Sequence, residues 1–246
     1  MSAIGNRVGV VSLGMCCQAS IQIRENVDLI ARASGDSSVR ISGMPFDGLI
    51  CPPASASKML AARTFYPENP QDIDVKEGAY WRDFNVYYWH EYRPRKSAFH
   101  IGRSSALDLD AAYRDLTGRY RHLASKFHNI ADTERLVFVI CNSQNNLPLV
   151  SELTGTIDYV LDAEEVERLC DACDGFFGRR CEYILATYPD RLLRTPRRSN
   201  LARFDLPTDD TEWSGSAEHW GRLFLDYFGG TTAGLTGGAD LQHRTP

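Results

Sequence analysis

The chain has 246 residues, of which 43% are hydrophobic and 24% are charged, and its formal net charge is −5. This composition is that of an ordinary globular protein, and no apolar run approaches the roughly 20 residues that a membrane-spanning helix needs. The negative net charge argues against general binding to nucleic acid or to an anionic membrane surface.

The seven cysteines bear on the cellular compartment. Residues 1–7 show no basic region followed by an apolar run, so we expect no secretory signal. A chain of this length can build a core without disulfides, and an odd number of cysteines cannot all pair within one chain. We therefore expect reduced thiols and a cytoplasmic protein.

An apolar run near the start of the chain, Val8 to Ser12, is followed by Gly14 and then by the pair Cys16 and Cys17. The β-branched residues predict a buried strand, the glycine ends it, and helical spacing of apolar residues begins after Cys17. Unpaired N–H groups at the start of such a helix carry a positive potential, which favours a thiolate and lowers a cysteine pKa. The alternative is that both cysteines are buried packing residues, as free cysteines often are.

Helices and strands alternate along the rest of the chain. Apolar residues at helical spacing predict helices at 18–33, 54–64, 107–130, 147–154, 163–173 and 217–228. Apolar, β-branched and aromatic runs predict strands at 39–42, 81–92, 135–141, 157–161 and 181–187. We expect Ser55 or Ser57 to cap the second of these helices, and Asp108 or Asp110 to cap the third.

This alternation predicts an α/β fold of three layers, in which helices flank a mainly parallel sheet. We expect one domain over residues 1–228 and a flexible tail over residues 229–246, which is rich in glycine and threonine. The strand at 135–141 is a continuous apolar run, as central parallel strands are. It ends at a polar loop, Asn142 to Asn146, at the edge where open α/β sheets bind their ligands.

Two further features are candidate sites of lower specificity. The basic segment 191–198 is suited to a phosphate or a carboxylate, although such segments are more often solvated surface. Cys170, Cys173 and Cys181 supply three thiols, but a structural zinc site needs four ligands, and no fourth lies nearby in sequence. We therefore predict no metal site.

The paired cysteines point to nucleophilic catalysis, which needs a proton acceptor and donors for the oxyanion that forms. The aromatic segment 81–92 predicts a strand or hairpin that ends near His90, which makes His90 the first candidate for the base. Backbone N–H groups around Gly14 and the start of the helix, together with the Gln18 side chain, are candidates for the oxyanion site.

Several other polar residues are candidates to assist Cys17, either as the base or as the residue that orients the base. Asp47 or Asn142 is a candidate to orient the histidine, as the third member of a catalytic triad does. The alternatives are that Asp47 only caps a turn and that Asn142 is a solvated loop residue. His100 and His219 are alternative bases. We interpret His122 and His128, on the predicted helix at 107–130, as structural residues.

These segments resemble a known family. The sequence Ser12-Leu13-Gly14-Met15-Cys16-Cys17-Gln18, followed by Met44-Pro45-Phe46-Asp47-Gly48-Leu49 and by a histidine after an aromatic strand, resembles a bacterial family of uncharacterised proteins named as papain-like cysteine peptidases. That family shows Ser-Leu-Gly, two variable residues and Cys, then a Pro-Phe-Asp-Trp segment, and this register selects Cys17 over Cys16. Gly48 stands where the family usually has tryptophan. The segment Trp213-Ser214-Gly215 with Trp220 is similar to the family's closing segment, so the resemblance spans most of the chain.

The resemblance implies a cysteine peptidase or hydrolase that forms a thioester on Cys17 and requires no cofactor. The pair Cys17-Gln18 is also, more distantly, similar to the Gly-Asn-Cys-Gln motif of a capsular polysaccharide biosynthesis family associated with coenzyme A. That similarity implies an alternative, acyl transfer to a glycan or small molecule with a coenzyme A thioester as donor. A third alternative is a binding protein without catalysis that uses the aromatic segment 81–92. The expected partner is a peptide, a glycan or a small molecule, with no nucleic acid and no membrane.

Overall fold

A computed structural model describes residues 7–41, 43–75, 79–88, 109–208 and 212–230, with the backbone alone for residues 75 and 109–112. The strands in these ranges are Val8–Ser12 (β1), Ile73–Val75 (β2), Ala79–Trp81 (β3), Val86–Tyr88 (β4), Arg135–Cys141 (β5), Glu182–Thr187 (β6) and Leu201–Asp205 (β7). The helices are Gln18–Glu25 (α1), Val27–Ser34 (α2), Pro53–Ala62 (α3), Leu109–Asn129 (α4), Leu147–Thr154 (α5), Ala163–Phe177 (α6) and Ala217–Gly230 (α7).

The main sheet has the strand order β1-β5-β6-β7, and each neighbouring pair is parallel. A second, antiparallel sheet has the order β2-β3-β4. Strand β5 lies between β1 and β6, and its residues from Leu136 to Cys141 are buried, as its continuous apolar run predicts. The predicted α/β fold with a mainly parallel sheet is confirmed.

Helices cover both faces of the main sheet. Alternate residues of β5 point to opposite sides, and the residues on each side contact helices. On one side, the Phe138 ring packs against Phe127 of α4 and Phe177 of α6. On the other side, Cys141 contacts α1, and Arg135 forms an ion pair with Glu182 that Tyr227 of α7 joins through its hydroxyl. The sheet is therefore the middle of three layers.

Several predicted helices differ from the observed ones in their limits. The helix predicted at 18–33 is divided at Asn26, which has φ −103° and ψ 14°, so α1 and α2 are separate helices. Helix α6 extends to Phe177 because Phe176 is buried and the chain leaves the helix only at Gly178, in a left-handed conformation. Asp162 begins α6 with a side chain that accepts from the Glu164 N–H at 2.9 Å.

The predicted caps of the second and third helices have different outcomes. Neither Ser55 nor Ser57 caps α3, which begins at Pro53 after Pro52; the two hydroxyls donate to the carbonyls of Asn85 and Pro53. A proline at the first helical position has no N–H group, so this helix start needs one hydrogen-bond acceptor fewer. Asp108 and the side chain of Asp110 lie outside the described residues.

The predicted strands at 39–42 and 157–161 are wrong as strands, because Arg40 and Leu161 form only isolated bridges. The aromatic segment 81–92 is not one strand: β3 ends at Trp81, a 3₁₀ turn covers Arg82–Phe84, and β4 follows. Val86, Tyr87 and Tyr88 are all buried, so the predicted alternation of inward and outward residues does not hold there. Residues 89–92 and 231–246 lie outside the described residues.

Strand β7 is missing from the predicted elements. Its five residues are partly exposed or exposed, and two of them, Arg203 and Asp205, bind each other through their side chains. A short, charged strand at a sheet edge lacks the continuous apolar run that identifies a buried strand. No helix in the described ranges combines the length and the apolar character that crossing a membrane requires.

Candidate functional site

The carboxyl ends of the parallel strands β1, β5 and β6 lie at one edge of the main sheet. Cys17 follows β1, the loop from Asn142 to Asn146 follows β5, and Arg191 follows β6. These segments are in contact: the Cys17 Sγ lies 3.7 Å from the Gln144 Oε1, and Arg191 donates to the carbonyl oxygens of Asn142 and Gln144. This is the edge at which open α/β sheets bind ligands.

Cys17 is the N-cap residue of α1 and is partly exposed, whereas the other six cysteines are buried. Cys16, its neighbour, has a relative exposure of 1%, and burial raises the pKa of its thiol well above the ordinary value. Cys17 is therefore the more accessible of the two thiols, and its role as the nucleophile stays a prediction. The carbonyl of Cys17 accepts from the Ser20 hydroxyl at 2.9 Å and from the Ile21 N–H at 3.1 Å.

The pKa of Cys17 is raised to about 11, which contradicts the expected lowering at a helix start. Burial is the main cause, because it removes water from the thiolate; the Cys141 thiol and, more weakly, the negative charge of Asp47 add to it. The backbone N–H of Cys17 and the guanidinium of Arg24 act in the opposite direction but are outweighed. The first turn of the eight-residue helix α1 therefore does not activate this thiol by itself.

The backbone of Asp47 lies close to that of Cys17. The Ser20 hydroxyl donates to the carbonyls of both residues, at 2.9 Å to Cys17 and 3.3 Å to Asp47. The Asp47 carboxylate accepts from the Met44 N–H at 3.1 Å and closes the 3₁₀ turn Pro45–Gly48. Burial raises the pKa of Asp47 to about 6, against the lowering effects of that N–H and of nearby basic groups that include Arg24.

Gly14 shapes the turn between β1 and Cys17. Its φ of +86° is in the left-handed region, and a Cβ atom there would lie 3.2 Å from the carbonyl oxygen of Cys51. Its N–H donates to the Ser12 hydroxyl at 3.2 Å, and its carbonyl accepts from the Cys141 N–H at 3.1 Å. Gly14 is thus committed to the turn, and an oxyanion site that includes it stays a prediction.

The Gln18 side chain is buried and bonded at both ends. Its Oε1 accepts from the Ser143 hydroxyl at 2.8 Å and from the Cys141 thiol at 3.0 Å, and its Nε2 donates to the Trp213 carbonyl at 3.3 Å. Gln22, one turn later, donates to the Ser214 carbonyl at 2.8 Å. The two glutamines therefore fix the segment before α7 to α1, a structural role that the sequence interpretation did not include.

Asn142 is fully buried and turned toward Arg191. Its Nδ2 donates to the carbonyls of Tyr159 and Arg191, each at 2.9 Å. Its Oδ1 has no hydrogen-bond partner among the described residues. In the same loop it is Gln144, which the sequence interpretation did not select, whose side chain reaches Cys17.

The structure does not show which histidine is the proton acceptor for Cys17. His90 and His100 lie outside the described residues. His219 lies in the first turn of α7, four residues after the Gly215 that packs against Gln18, and its N–H donates to the Ser216 hydroxyl at 3.3 Å. His128 packs against Phe65 and Phe176, in line with a structural role.

The predicted thiol cluster packs inside the protein. Cys170 and Cys173 are buried on α6, Cys181 precedes β6, and all are free thiols. Within the described ranges, no three histidine, cysteine or acidic side chains are placed to hold a metal ion. In the basic segment, Arg194 pairs with Asp162 and Glu164.

Comparison of the chain with protein-family models, with curated proteins and with solved structures gives no match. The resemblance to papain-like cysteine peptidases thus rests on the motifs around Cys17, Asp47 and Trp213 alone.

Proposed function

We propose that the protein is a hydrolase that uses Cys17 as a nucleophile and forms a thioester with its substrate. The observation that carries this proposal is the position of Cys17: it is the one partly exposed thiol of seven, at the carboxyl edge of the parallel sheet and beside Asp47. Buried thiols are inert, whereas a nucleophile needs access to its substrate.

In the proposed reaction, Cys17 gives its proton to a base, and its sulfur attacks an acyl carbon. A sulfur–carbon bond forms, the bond to the leaving nitrogen or oxygen breaks, and the leaving group takes the proton from the base. Water then loses a proton to the base and attacks the thioester, which releases the acid and restores the thiol. Backbone N–H groups at the start of α1 are the proposed oxyanion donors.

A base is essential to this proposal. With a pKa of about 11, Cys17 is ionised in only about one molecule in three thousand at pH 7.5. Proton removal must therefore accompany substrate binding or attack. His90 is the proposed base, His219 is the alternative, and Asp47 is proposed to orient the imidazolium by its negative charge.

The substrate is proposed to be a peptide, a glycan ester or a small acyl compound, and the reaction is proposed for the cytoplasm, where the seven free thiols would stay reduced. The same thioester supports transfer to another acceptor if that acceptor excludes water. Thermal shift with coenzyme A and acetyl-coenzyme A separates the two, because a ligand that binds only the folded state raises the melting temperature. A rise with either compound would favour the transferase.

The nucleophile is tested by labelling the folded protein with iodoacetamide at pH 8 and measuring the rate at each cysteine by mass spectrometry. We expect Cys17 to react at least about tenfold faster than the buried Cys51 and Cys141. Incubation with an activated acyl ester should add one acyl group to Cys17 and none to the Cys17→Ser variant. Equal labelling of Cys17 and Cys51, or an acyl adduct that survives in Cys17→Ser, would overturn the proposal.

A further inference from the structure

Arg191 is a nearly buried cation beside the candidate site, with a relative exposure of 7%. Its Nη1 donates to the carbonyl oxygens of Asn142 and Gln144, both at 2.8 Å. Its guanidinium lies 5.1 Å from the ring centre of Tyr159 and 4.7 Å from that of Tyr188. In the part of the chain that the structure describes, no carboxylate lies within ion-pair distance of it.

Other arginines of the basic segment differ from Arg191 in this respect. Arg194 has a side chain that is 61% exposed and pairs with Asp162. Arg198, at 17%, pairs with Asp171 and Asp174. Surface arginines need no counter-ion, whereas a buried charge without one is costly in free energy. The most buried of the three is thus the one that lacks an anion.

Only one nitrogen of the Arg191 guanidinium, Nη1, donates hydrogen bonds to described residues. A guanidinium has five N–H donors, and its Nε and Nη2 edge matches the two oxygens of a carboxylate or of a phosphate.

Arg191 is connected to the thiol through one residue. Gln144 accepts from Arg191 with its carbonyl, and its side-chain oxygen lies 3.7 Å from the Cys17 Sγ. The buried Asn142 Oδ1, which has no partner among the described residues, is part of the same loop. Polar groups that are buried and incompletely bonded are unusual in a native protein and often mark a place where a ligand or water binds.

We propose that Arg191 is the anion-binding residue of a subsite beside Cys17, where it receives an oxyanion group of the substrate. This inference rests on the proposed function and specifies its substrate class: an acyl compound that carries a second group, a carboxylate or a phosphate, near the carbonyl that Cys17 attacks. The guanidinium orients that group, and it takes no part in the chemical step.

The test compares two alkylating reagents of nearly equal size at Cys17. Iodoacetate carries a carboxylate and iodoacetamide is neutral, and in both the thiolate forms a sulfur–carbon bond while iodide leaves. The ratio of the two rates at Cys17 is measured by mass spectrometry in the folded protein and in urea, where the ratio reports intrinsic reactivity. We expect the folded protein to favour iodoacetate by at least about threefold over the unfolded chain, as a nearby cation attracts the anion.

Variants then assign the preference to Arg191. Arg191→Met should return the ratio to the unfolded value, while Arg191→Lys, which keeps the charge but loses the fork, should retain part of it. Arg194→Met is the matched control, because it removes an exposed arginine of the same segment, and it should leave the ratio unchanged. If circular dichroism shows that Arg191→Met is not folded, the test uses the ratio of the two rates in the wild type and in Arg191→Lys instead.

A second measurement does not depend on thiol reactivity. Succinate or inorganic phosphate should raise the melting temperature of Cys17→Ser by about 2 °C or more. Adding Arg191→Lys to Cys17→Ser should reduce that rise. A stronger effect of succinate identifies a carboxylate as the natural group, and a stronger effect of phosphate identifies a phosphate ester. A folded-state preference for iodoacetamide, or a ratio and a thermal shift that are both independent of Arg191, would overturn the subsite. Slow labelling of Cys17 by iodoacetamide alone would instead overturn the nucleophile.

Discussion

The Cys17 thiol and the Gln144 side chain lie in contact, with 3.7 Å between Sγ and Oε1, although 127 positions separate the two residues in the chain. The parallel pairing of β1 with β5 produces this contact, because it brings the segments after both strands to the same edge. Gln144 is itself held by its carbonyl, which accepts from Arg191, and by its Nε2, which donates to Asn146.

This contact makes Gln144 a sensitive probe of the thiol. Gln144→Glu places a negative charge beside Cys17, which should raise the pKa of the thiol further and slow alkylation by iodoacetamide at pH 8 by about fivefold or more. Gln144→Met removes the acceptor without adding a charge, so its rate should stay within about twofold of the wild type. Unchanged alkylation in Gln144→Glu would show that this side chain does not face the thiol in solution.

The negative charge of Asp47 raises the pKa of Cys17, whereas a nearby basic group lowers it. Burial is the largest cause of the raised pKa of Cys17, and the charge of Asp47 adds to it. Asp47→Asn removes that charge, which is the weakest of the influences on this pKa, so the thiolate fraction at pH 8 should rise and iodoacetamide should label Cys17 faster, by about 1.5-fold or more. Glu25→Gln, which removes an exposed carboxylate of the same helix as Gln18, is the control and should have no such effect.

The same substitution separates electrostatics from catalysis. If Asp47 orients the histidine, Asp47→Asn should label faster and yet turn over an acyl substrate more slowly. A variant that loses labelling and turnover together would indicate a local change of structure. A variant in which both rates increase would contradict the orienting role.

Asp47 should also make stability depend on pH. Its pKa is raised to about 6 in the folded protein from an ordinary 3.8, mainly by burial. A raised pKa stabilises the fold below the unfolded pKa, and this contribution is lost as the pH rises through about 6. Asp47→Asn keeps an acceptor for the Met44 N–H and has no charge to desolvate.

The free energy of unfolding of Asp47→Asn, relative to the wild type, should therefore increase by about 2 kcal/mol between pH 4.5 and pH 7.5. Urea denaturation at the two pH values measures this difference, and titrations common to both proteins cancel. A difference that stays constant with pH would mean that the carboxylate is solvated in the folded protein.

The fold was more predictable from the sequence than the site because its signals are local. The continuous apolar run of β5 and the helical spacing in α4 and α6 each identify an element without reference to the rest of the chain. The break at Asn26 has no sequence signal, because apolar spacing continues on both sides of it. Strand β7 has none either, because it is short, charged and at an edge.

The site depends on contacts between loops, which no local pattern encodes. The motif around Cys17 points to the partly exposed thiol, and Asp47 is a candidate both as a polar residue and through the resemblance. Gln144 and Arg191 become visible only when the ends of β5 and β6 are seen side by side. The expected lowering of the Cys17 pKa was wrong because the helix potential is local, whereas desolvation depends on everything that packs around the thiol.

The last prediction concerns the attachment of α7 to α1. Gly215 has a φ of +85°, and a Cβ atom there would lie 2.6 Å from the Trp220 Nε1 and 2.8 Å from the Gln18 Nε2. Gly215→Ala must therefore move the buried Trp220 or the Gln18 carboxamide, and it also strains the backbone. We expect it to lower the free energy of unfolding by about 1–3 kcal/mol.

Gly175 provides the matched control, since it lies in α6 with open space where its Cβ would be. Gly175→Ala should increase the free energy of unfolding by about 0.5–1 kcal/mol, because alanine favours the helix. Urea denaturation of both variants measures the contrast. Because Gln18 also bonds Ser143, which lies next to Gln144, Gly215→Ala should alter the rate of Cys17 labelling as well, and Gly175→Ala should not. Equal stability of the two variants would mean that the segment before α7 does not pack against Gln18 in solution.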